Sequence, residues 1–388
     1  MQQFTIIHFS QDFARGKAQL GGFGRILNIC SDKHMHIIFT LSAQITKIEE
    51  YNIDSIKVIE IPIDKLPLSK KRQFFVYRKI SLKIKEYLER NKIQADLLFG
   101  HSQLFNFYVL KELKNMFLPD LKILWEANAI WGISSMDNWK GRISNRLNRW
   151  FQHNIFLQAN GIICHTNSSR DFIIKTFGAQ AGKCNVITNG VLFEKAKAPE
   201  LRMNELKKIL CLGLFDKMNG IPFLADFIRN EKKTDGFEFH FIGDGLYKPI
   251  IEKLKEHGLC KYWGKLSHSE MLKKFSEFDF VIIPRLPCIE ADLFIPTKLI
   301  ESMYAGVVPI CSDVNGMSEV IINAKNGFLF KAGSLKDLRV VLSNIKKLDS
   351  NEIEKIACNA QETVLKNYTW KSNHRELDLI YQKLILNN

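Results

Sequence analysis

Residues 289–330 read IEADLFIPTKLIESMYAGVVPICSDVNGMSEVIINAKNGFLF. The stretch opens on a loop with carboxylates at Glu290 and Asp292 and runs into Pro296. Proline suits a first helical turn, and the apolar spacing after it predicts a short amphipathic helix with Lys298 and Glu301 one turn apart. Gly306 ends that helix, residues 307–311 form a strand, and Gly316 and Glu319 open another turn and helix. This order sets a helix N-terminus, a carboxylate and two glycine turns along one edge of a sheet. An α/β protein binds phosphates and ribose at such an edge.

The same alternation extends outward. Towards the N-terminus of this half, KKILCLGLF (207–215) is a strand, GIPFLADFIR (220–229) a helix, and FEFHFIGDG (237–245) a strand that ends in a Gly-Asp-Gly turn. CKYWGKL (260–266) is a short strand, SHSEMLKKFSEF (267–278) a helix capped by Ser267 or Ser269, and FDFVIIPR (278–285) a buried strand. In the first half, FTIIHF (4–9) is a strand, and a loop with Gly21, Gly22 and Gly24 opens a helix. HMHIIFTLS (34–42), SIKVIEIPI (55–63), ADLLFGH (95–101), LKILWEAN (121–128), NGIICHT (160–166) and CNVITNGV (184–191) follow as strands or strand ends. Strands alternating with helices predict parallel, doubly wound sheets. The segment near 190–207 is charged and poor in apolar residues, which places a division there. The expected domains are 1–195 and 196–367, with a terminal amphipathic helix over 368–388.

A chain of 388 residues suits two domains of ordinary size. Its 46% apolar and 25% charged residues are globular in balance. No run of 18 apolar residues occurs, and the N-terminus reads as a first strand, not a signal peptide. Eight scattered cysteines form no CxxC pair, so reduced cytosolic thiols are expected, with no zinc site or disulfide framework. The net charge of +14 is uneven: residues 1–200 carry 28 Lys+Arg and 17 Asp+Glu, or +11, and residues 201–388 carry 27 and 24, or +3. Residues 65–92 concentrate ten Lys/Arg against two Glu. Val76, Ile80, Ile84 and Tyr87 follow helical spacing there, and Arg72, Lys79, Lys83 and Arg90 share another stripe. Such a helix can lie on an anionic membrane surface. No nucleic-acid recognition motif accompanies the basic half, so no nucleic acid is expected as a partner.

Asn189-Gly190-Val191, Gly243-Asp244-Gly245, Pro296-Thr297-Lys298, Glu301 and Tyr368-Thr369-Trp370 stand in an order and spacing that resembles glycosyltransferase family 4. The resemblance implies an α/β chain of GT-B fold, two doubly wound Rossmann-like domains facing a central cleft. It implies retaining, metal-independent transfer from a nucleoside diphosphate sugar, UDP- or GDP-linked, with no cofactor. The acceptor would be a glycan, a lipid-linked sugar or a protein, met in the cytoplasm or at the inner face of the membrane.

Residue by residue, the resemblance implies that Glu301 holds the donor ribose. A carboxylate accepts two hydroxyls at once; the plainer reading is an exposed helix glutamate paired with Lys298. Pro296, Thr297 and Lys298 would present amides and a cation to the diphosphate, with Gly213, Gly243 and Gly245 lining the nucleotide and Gly22 approaching across the cleft. Where the family pairs a second glutamate with Glu301, this chain has Leu293, leaving Asp292 or Glu290 to reach the sugar. Where the family clamps phosphate with arginine and lysine, this chain has Leu214 and Asn219, leaving Lys217, Lys298 and Arg285 as cations. His101 matches a histidine beside the reacting sugar, and Glu126 and Asn128 would contact the acceptor. An ordinary turn histidine and a helix-capping glutamate are the plainer readings of His101 and Glu126. The substitutions keep two alternatives open, a non-catalytic transferase-like binding subunit and a sugar-nucleotide epimerase on the same scaffold.

Overall fold

The computed structural model describes residues 2–11, 13, 22–63, 70–130, 133, 139–192, 206–231 and 236–386. The chain forms two compact units, residues 1–187 with 373–388, and residues 188–372. The division expected at residue 195 lies outside the described residues.

Unit 1 runs β1 (Thr5–Phe9), α1 (Gly22–Ile29), β2 (Met35–Ser42), β3 (Glu49–Ile53), β4 (Ile56–Pro62), α2 (Lys70–Arg90), β5 (Leu97–His101), α3 (Leu104–Phe117), β6 (Lys122–Glu126), α4 (Trp139–Gln158), β7 (Gly161–Cys164), α5 (Asn167–Phe177) and β8 (Cys184–Val186). Its sheet has the order β3-β4-β2-β1-β5-β6-β7-β8. Every pair is parallel except the β3–β4 hairpin at the edge.

Unit 2 runs β9 (Lys207–Leu214), α6 (Ile221–Asn230), β10 (Phe237–Asp244), α7 (Lys248–Glu256), β11 (Lys261–Tyr262), α8 (His268–Lys274), β12 (Phe280–Ile283), α9 (Ile289–Leu293), α10 (Thr297–Tyr304), β13 (Val308–Ser312), α11 (Asn315–Ser318), β14 (Phe328–Phe330), α12 (Leu335–Lys347) and α13 (Ser350–Asn367). Its sheet is parallel throughout, in the order β11-β10-β9-β12-β13-β14. A final helix, α14 (Trp370–Leu386), carries the chain back into unit 1.

Both faces of the second sheet are covered. Ile209 and Cys211 of β9 join a core with Phe239, Phe241, Phe280 and Ile310. Leu210 and Leu212, pointing the other way, join Ile242, Val281, Leu299 and Met303. Burial on two faces makes a parallel strand read as a continuous apolar run, which is why these strands are plain in the sequence. The terminal helix is fixed in unit 1 by polar ties. Asp378 accepts from His34 Nε2 at 2.8 Å and pairs with Lys33, and His374 Nε2 donates to the Asn28 carbonyl at 2.7 Å.

The expected loop over residues 289–293 is helical. Ala291 and Leu293 are buried, and Cys288 Sγ accepts from the Ala291 amide at 3.4 Å, which closes the first turn. Gly316 is not a free turn either. It sits in α11 against α9, where a Cβ would come within 2.7 Å of the Phe294 carbonyl oxygen.

Candidate functional site

In unit 2 the candidate residues gather where β9, β10 and β12 end. Gly213 and Gly243 are register partners on β9 and β10. A Cβ on Gly243 would lie 1.9 Å from the Gly213 carbonyl oxygen, and its φ is +148°, so glycine is demanded by the approach of the two chains. Gly245 is held in the same way against Phe215.

α10 starts at Thr297 after Pro296, and its first turn exposes Thr297. Lys298 turns back towards the end of β9. Its Nζ donates to the Leu212 carbonyl at 2.8 Å and reaches Asn219 Oδ1 at 3.4 Å. That nitrogen would lie 3.2 Å from a Cβ placed on Gly213. Burial pulls the Lys298 amine down to about 8, with the Arg285 charge adding to the fall and Asp216 opposing it. Asn219 is in turn fixed by Asp216, whose Oδ1 accepts from the Asn219 amide at 2.7 Å and its Nδ2 at 2.9 Å. The cation beside Gly213 therefore comes from α10. Lys217 is exposed on the loop, and Arg285 Nη1 donates to the Phe294 carbonyl at 2.9 Å.

Glu301 does not pair with Lys298. Its Oε1 accepts from His268 Nε2 of α8 at 2.9 Å, a partner the sequence reading missed. The carboxylates proposed beside the sugar have local duties. Asp292 Oδ1 accepts from the Asn315 amide at 3.0 Å and so caps α11, while Glu290 is half-buried beside the Cys288 thiol.

In unit 1 the sequence reading sets His101 at a strand end beside the reacting sugar, and Glu126 and Asn128 at the acceptor. In the structure His101 is 1% exposed and Glu126 0%. They end neighbouring inner strands, β5 and β6, and their side chains turn into the unit. His101 Nδ1 bonds Glu126 Oε2 at 2.6 Å, and Arg25 of α1 pairs with Glu126 Oε1. Arg25 also donates to the Ile187 carbonyl at 2.8 Å, and His165 Nε2 lies 3.5 Å from Glu126 Oε1. Burial alone would raise the Glu126 carboxyl; Arg25 and the His101 and His165 contacts outweigh it and hold the group well below the usual range. Asn128 is half-buried, with an enclosed Oδ1 that accepts no hydrogen bond among the described residues. Gly22 is the first residue of α1; Gly21 lies outside the described residues.

The histidines continue inward. His101 Nε2 meets His8 Nδ1 at 2.9 Å, and His8 Nε2 meets His36 Nδ1 at 2.8 Å. With one proton on each ring, an ionised Glu126 sets the tautomers in turn, each Nδ1–H donating towards it. Burial, then neighbouring histidines, lowers His8 well below its usual range and His36 to about 3. The ligand atoms of His8, His36 and Cys30 lie within 4.8 Å of one another, a set that could hold a metal ion. The hydrogen-bonded order already uses both nitrogens of His8 and Nδ1 of His36, and burial pushes the Cys30 thiol up, against the thiolate a metal needs. A histidine inside an otherwise apolar strand (FTIIHF, HMHIIF) was the available signal for this network.

The family profile described as "Glycosyltransferase Family 4" matches residues 31–195, and that described as "Glycosyl transferases group 1" matches residues 206–345. The chain belongs to glycosyltransferase family 4. It is 20% identical over 222 residues to the putative colanic acid biosynthesis glycosyltransferase WcaL of Salmonella typhimurium, covering 54% of this chain and 54% of that protein. Matches span from 22% to 54% of the length of the curated relatives. Sucrose-phosphate synthase from Thermosynechococcus elongatus superimposes with a TM-score of 0.76 at 16% identity, over 100% of both chains. Anabaena Alr3699/HepE in complex with UDP and glucose does so with 0.69 at 15% identity, over 97% of this chain and 99% of that one. The fold of this family 4 chain is therefore GT-B. Among the described residues, no helix is long and apolar enough to cross a membrane.

Proposed function

We propose that the chain transfers a sugar, with retention, from a nucleoside diphosphate sugar to a glycan, lipid-linked or protein acceptor in surface-polysaccharide or glycoconjugate synthesis. The observation that carries this reading is the Lys298 ammonium drawn to Gly213 at the end of β9, on the helix that also bears Glu301. In a chain of this family, those groups suit a diphosphate and a ribose. The first amides of α10 and Lys298 would meet the diphosphate, and Glu301, with Oε1 already on His268, would offer its other oxygen to a ribose hydroxyl. HepE, a protein of the same fold, is seen with UDP and glucose, so uridine diphosphate is the first nucleotide to test.

The bond from C1 of the sugar to the diphosphate breaks with its electron pair passing to the diphosphate oxygen. The acceptor hydroxyl oxygen forms the new bond to C1, and its proton passes to the departing diphosphate. Charge grows on the leaving group, so a fixed cation beside it lowers the barrier. With its amine drawn down to about 8, Lys298 is about 90% protonated at pH 7 and can serve as that cation. Leu214 and Asn219 then need not carry charge. A lipid-linked acceptor would place the work at the cytoplasmic membrane face.

The experiment is a thermal-shift panel of UDP, GDP, ADP and CMP, followed by turnover with the matching nucleotide sugars. A bound nucleoside diphosphate raises the melting point by mass action, and transfer releases that diphosphate. Binding without turnover or release would leave a binding subunit, and an isomerised nucleotide sugar an epimerase. No response to any nucleotide would overturn the reading.

A further inference from the structure

α4 reads WKGRISNRLNRWFQHNIFLQ, with four basic residues and no acidic one. Its inner face is settled: Gln152, Ile155 and Phe156 are fully buried, and the helix packs on α3 and α5. Its outer face is unusual. Ile143 is 52% exposed, Leu147 44%, Trp150 59% and Leu157 47%. At about 100° per residue these four fall within one stripe. Arg142, Arg146, Arg149 and His153, also exposed, fall within a second stripe alongside it. None of the three arginines is ion-paired among the described residues.

We propose that α4 is a membrane-docking helix, its arginines on the phosphates of an anionic lipid surface and Ile143, Leu147, Trp150 and Leu157 in the headgroup layer. An amphipathic helix with basic residues beside tryptophan and leucine lies in the interface plane, its apolar side about 5–10 Å deep. Tryptophan favours that depth because one end of the indole is apolar and the other donates. Charge selects the occupant. A second copy of the chain on a two-fold axis would bring the arginine stripes together, which like-charge repulsion opposes. An anionic bilayer answers both stripes at once. α2, the segment whose composition suggests a membrane contact, offers less: Ile80, Ile84, Tyr87 and Leu88 are spent on the core of unit 1, and Lys83 donates to the Pro62 carbonyl at 3.0 Å.

Flotation with vesicles of phosphatidylcholine alone, and of phosphatidylcholine mixed with phosphatidylglycerol, tests this without nucleotide or turnover, so its outcome is independent of the transferase reading. The wild type should float only with the mixed vesicles, and less at high salt. R142S/R146S/R149S should lower affinity for them on the order of a hundredfold. L147S/W150S should lower it at every salt concentration. K79S/R90S on α2 should leave most binding intact. All these positions are exposed, so unchanged melting curves verify folding. A wild type that ignores anionic vesicles, or α4 variants that float like it, would overturn the proposal. So would α4 variants that change the oligomeric state and not lipid binding.

Discussion

Lys298 and Glu301 sit three residues apart on one helix, where an i,i+3 pair would be worth only a few tenths of a kcal/mol. The fold does not use that pair: Lys298 reaches back to β9 and Glu301 across to α8. Each side chain is thus held by a long-range contact, which is the arrangement the proposed donor site uses. Glu301→Ala should weaken binding of the preferred nucleoside diphosphate by about 1–3 kcal/mol, the scale for losing a charged hydrogen-bond partner. Calorimetry on the two proteins decides it, and equal affinities would return Glu301 to the helix surface. Lys298→Gln should cost turnover more than nucleotide affinity, because charge on the leaving group is greatest in the transition state. Burial leads the fall of the Lys298 amine to about 8. The active form is the protonated one, so kcat/KM should hold below pH 8 and drop as pH rises through it. A profile flat to pH 9.5 would exclude Lys298 as the cation.

At the scale of elements, much was legible because α/β strands buried on both faces announce themselves. FVII of β12 and VPICS of β13 are fully buried, and each reads as an apolar run. The start of α10 was legible too, from Pro296. What could not be read was direction. His101 and Glu126 end strands as the sequence suggests, but whether a strand-end side chain opens outward or turns inward depends on α1. Arg25, distant in sequence, supplies the charge that draws Glu126 in. The Asn219 substitution was legible only as a loss; that Lys298 reaches the same place depends on a contact spanning 79 residues. The β9–β10 junction gives an element-scale prediction. Gly243→Ala puts a Cβ 1.9 Å from the Gly213 carbonyl oxygen, so the strands must part. Stability of unit 2 should fall by about 3 kcal/mol, the upper end of ordinary single substitutions. Gly258→Ala, at φ +69° with nothing within 4 Å of its Cβ, controls for backbone strain without a clash and should cost about 1 kcal/mol. Equal urea midpoints for the two variants would refute the steric account.

At the scale of the molecule, the units differ in what acid does to them. Unit 1 buries His8, His36 and His165, each with its pKa lowered, led in every case by burial. His36 falls to about 3 and His165 to about 4. These rings are neutral in the fold, whereas in the unfolded chain each takes a proton below pH 6.5. The unfolded state then binds more protons, so stability declines as pH falls through 6.5 and keeps declining until the folded pKa is reached. The slope is about 1.4 kcal/mol per pH unit for each independent group. Protons entering adjoining rings repel one another, so His8 and His36 titrate as a coupled pair. Glu126 adds to the loss from the other direction. Its carboxyl is held low by Arg25, His101 and His165 against the pull of burial, so its contribution is present above about 4.5 and goes as pH falls further. Unit 2 holds one comparable ring, His240, also lowered by burial but supported by Glu238. Unit 1 should therefore unfold first on acidification. Urea midpoints of unit 1, followed by hydrogen exchange at the amides of β1 and β5, should fall steeply between pH 6.5 and 4 while those of β9 and β12 change little. His165→Asn removes one titrating ring and should make the unit 1 slope shallower by about 1.4 kcal/mol per pH unit. A unit 1 midpoint that stays level from pH 7 to pH 4.5 would mean that these histidines are already protonated in the fold, and the tautomer order running from Glu126 to His36 would have to be given up.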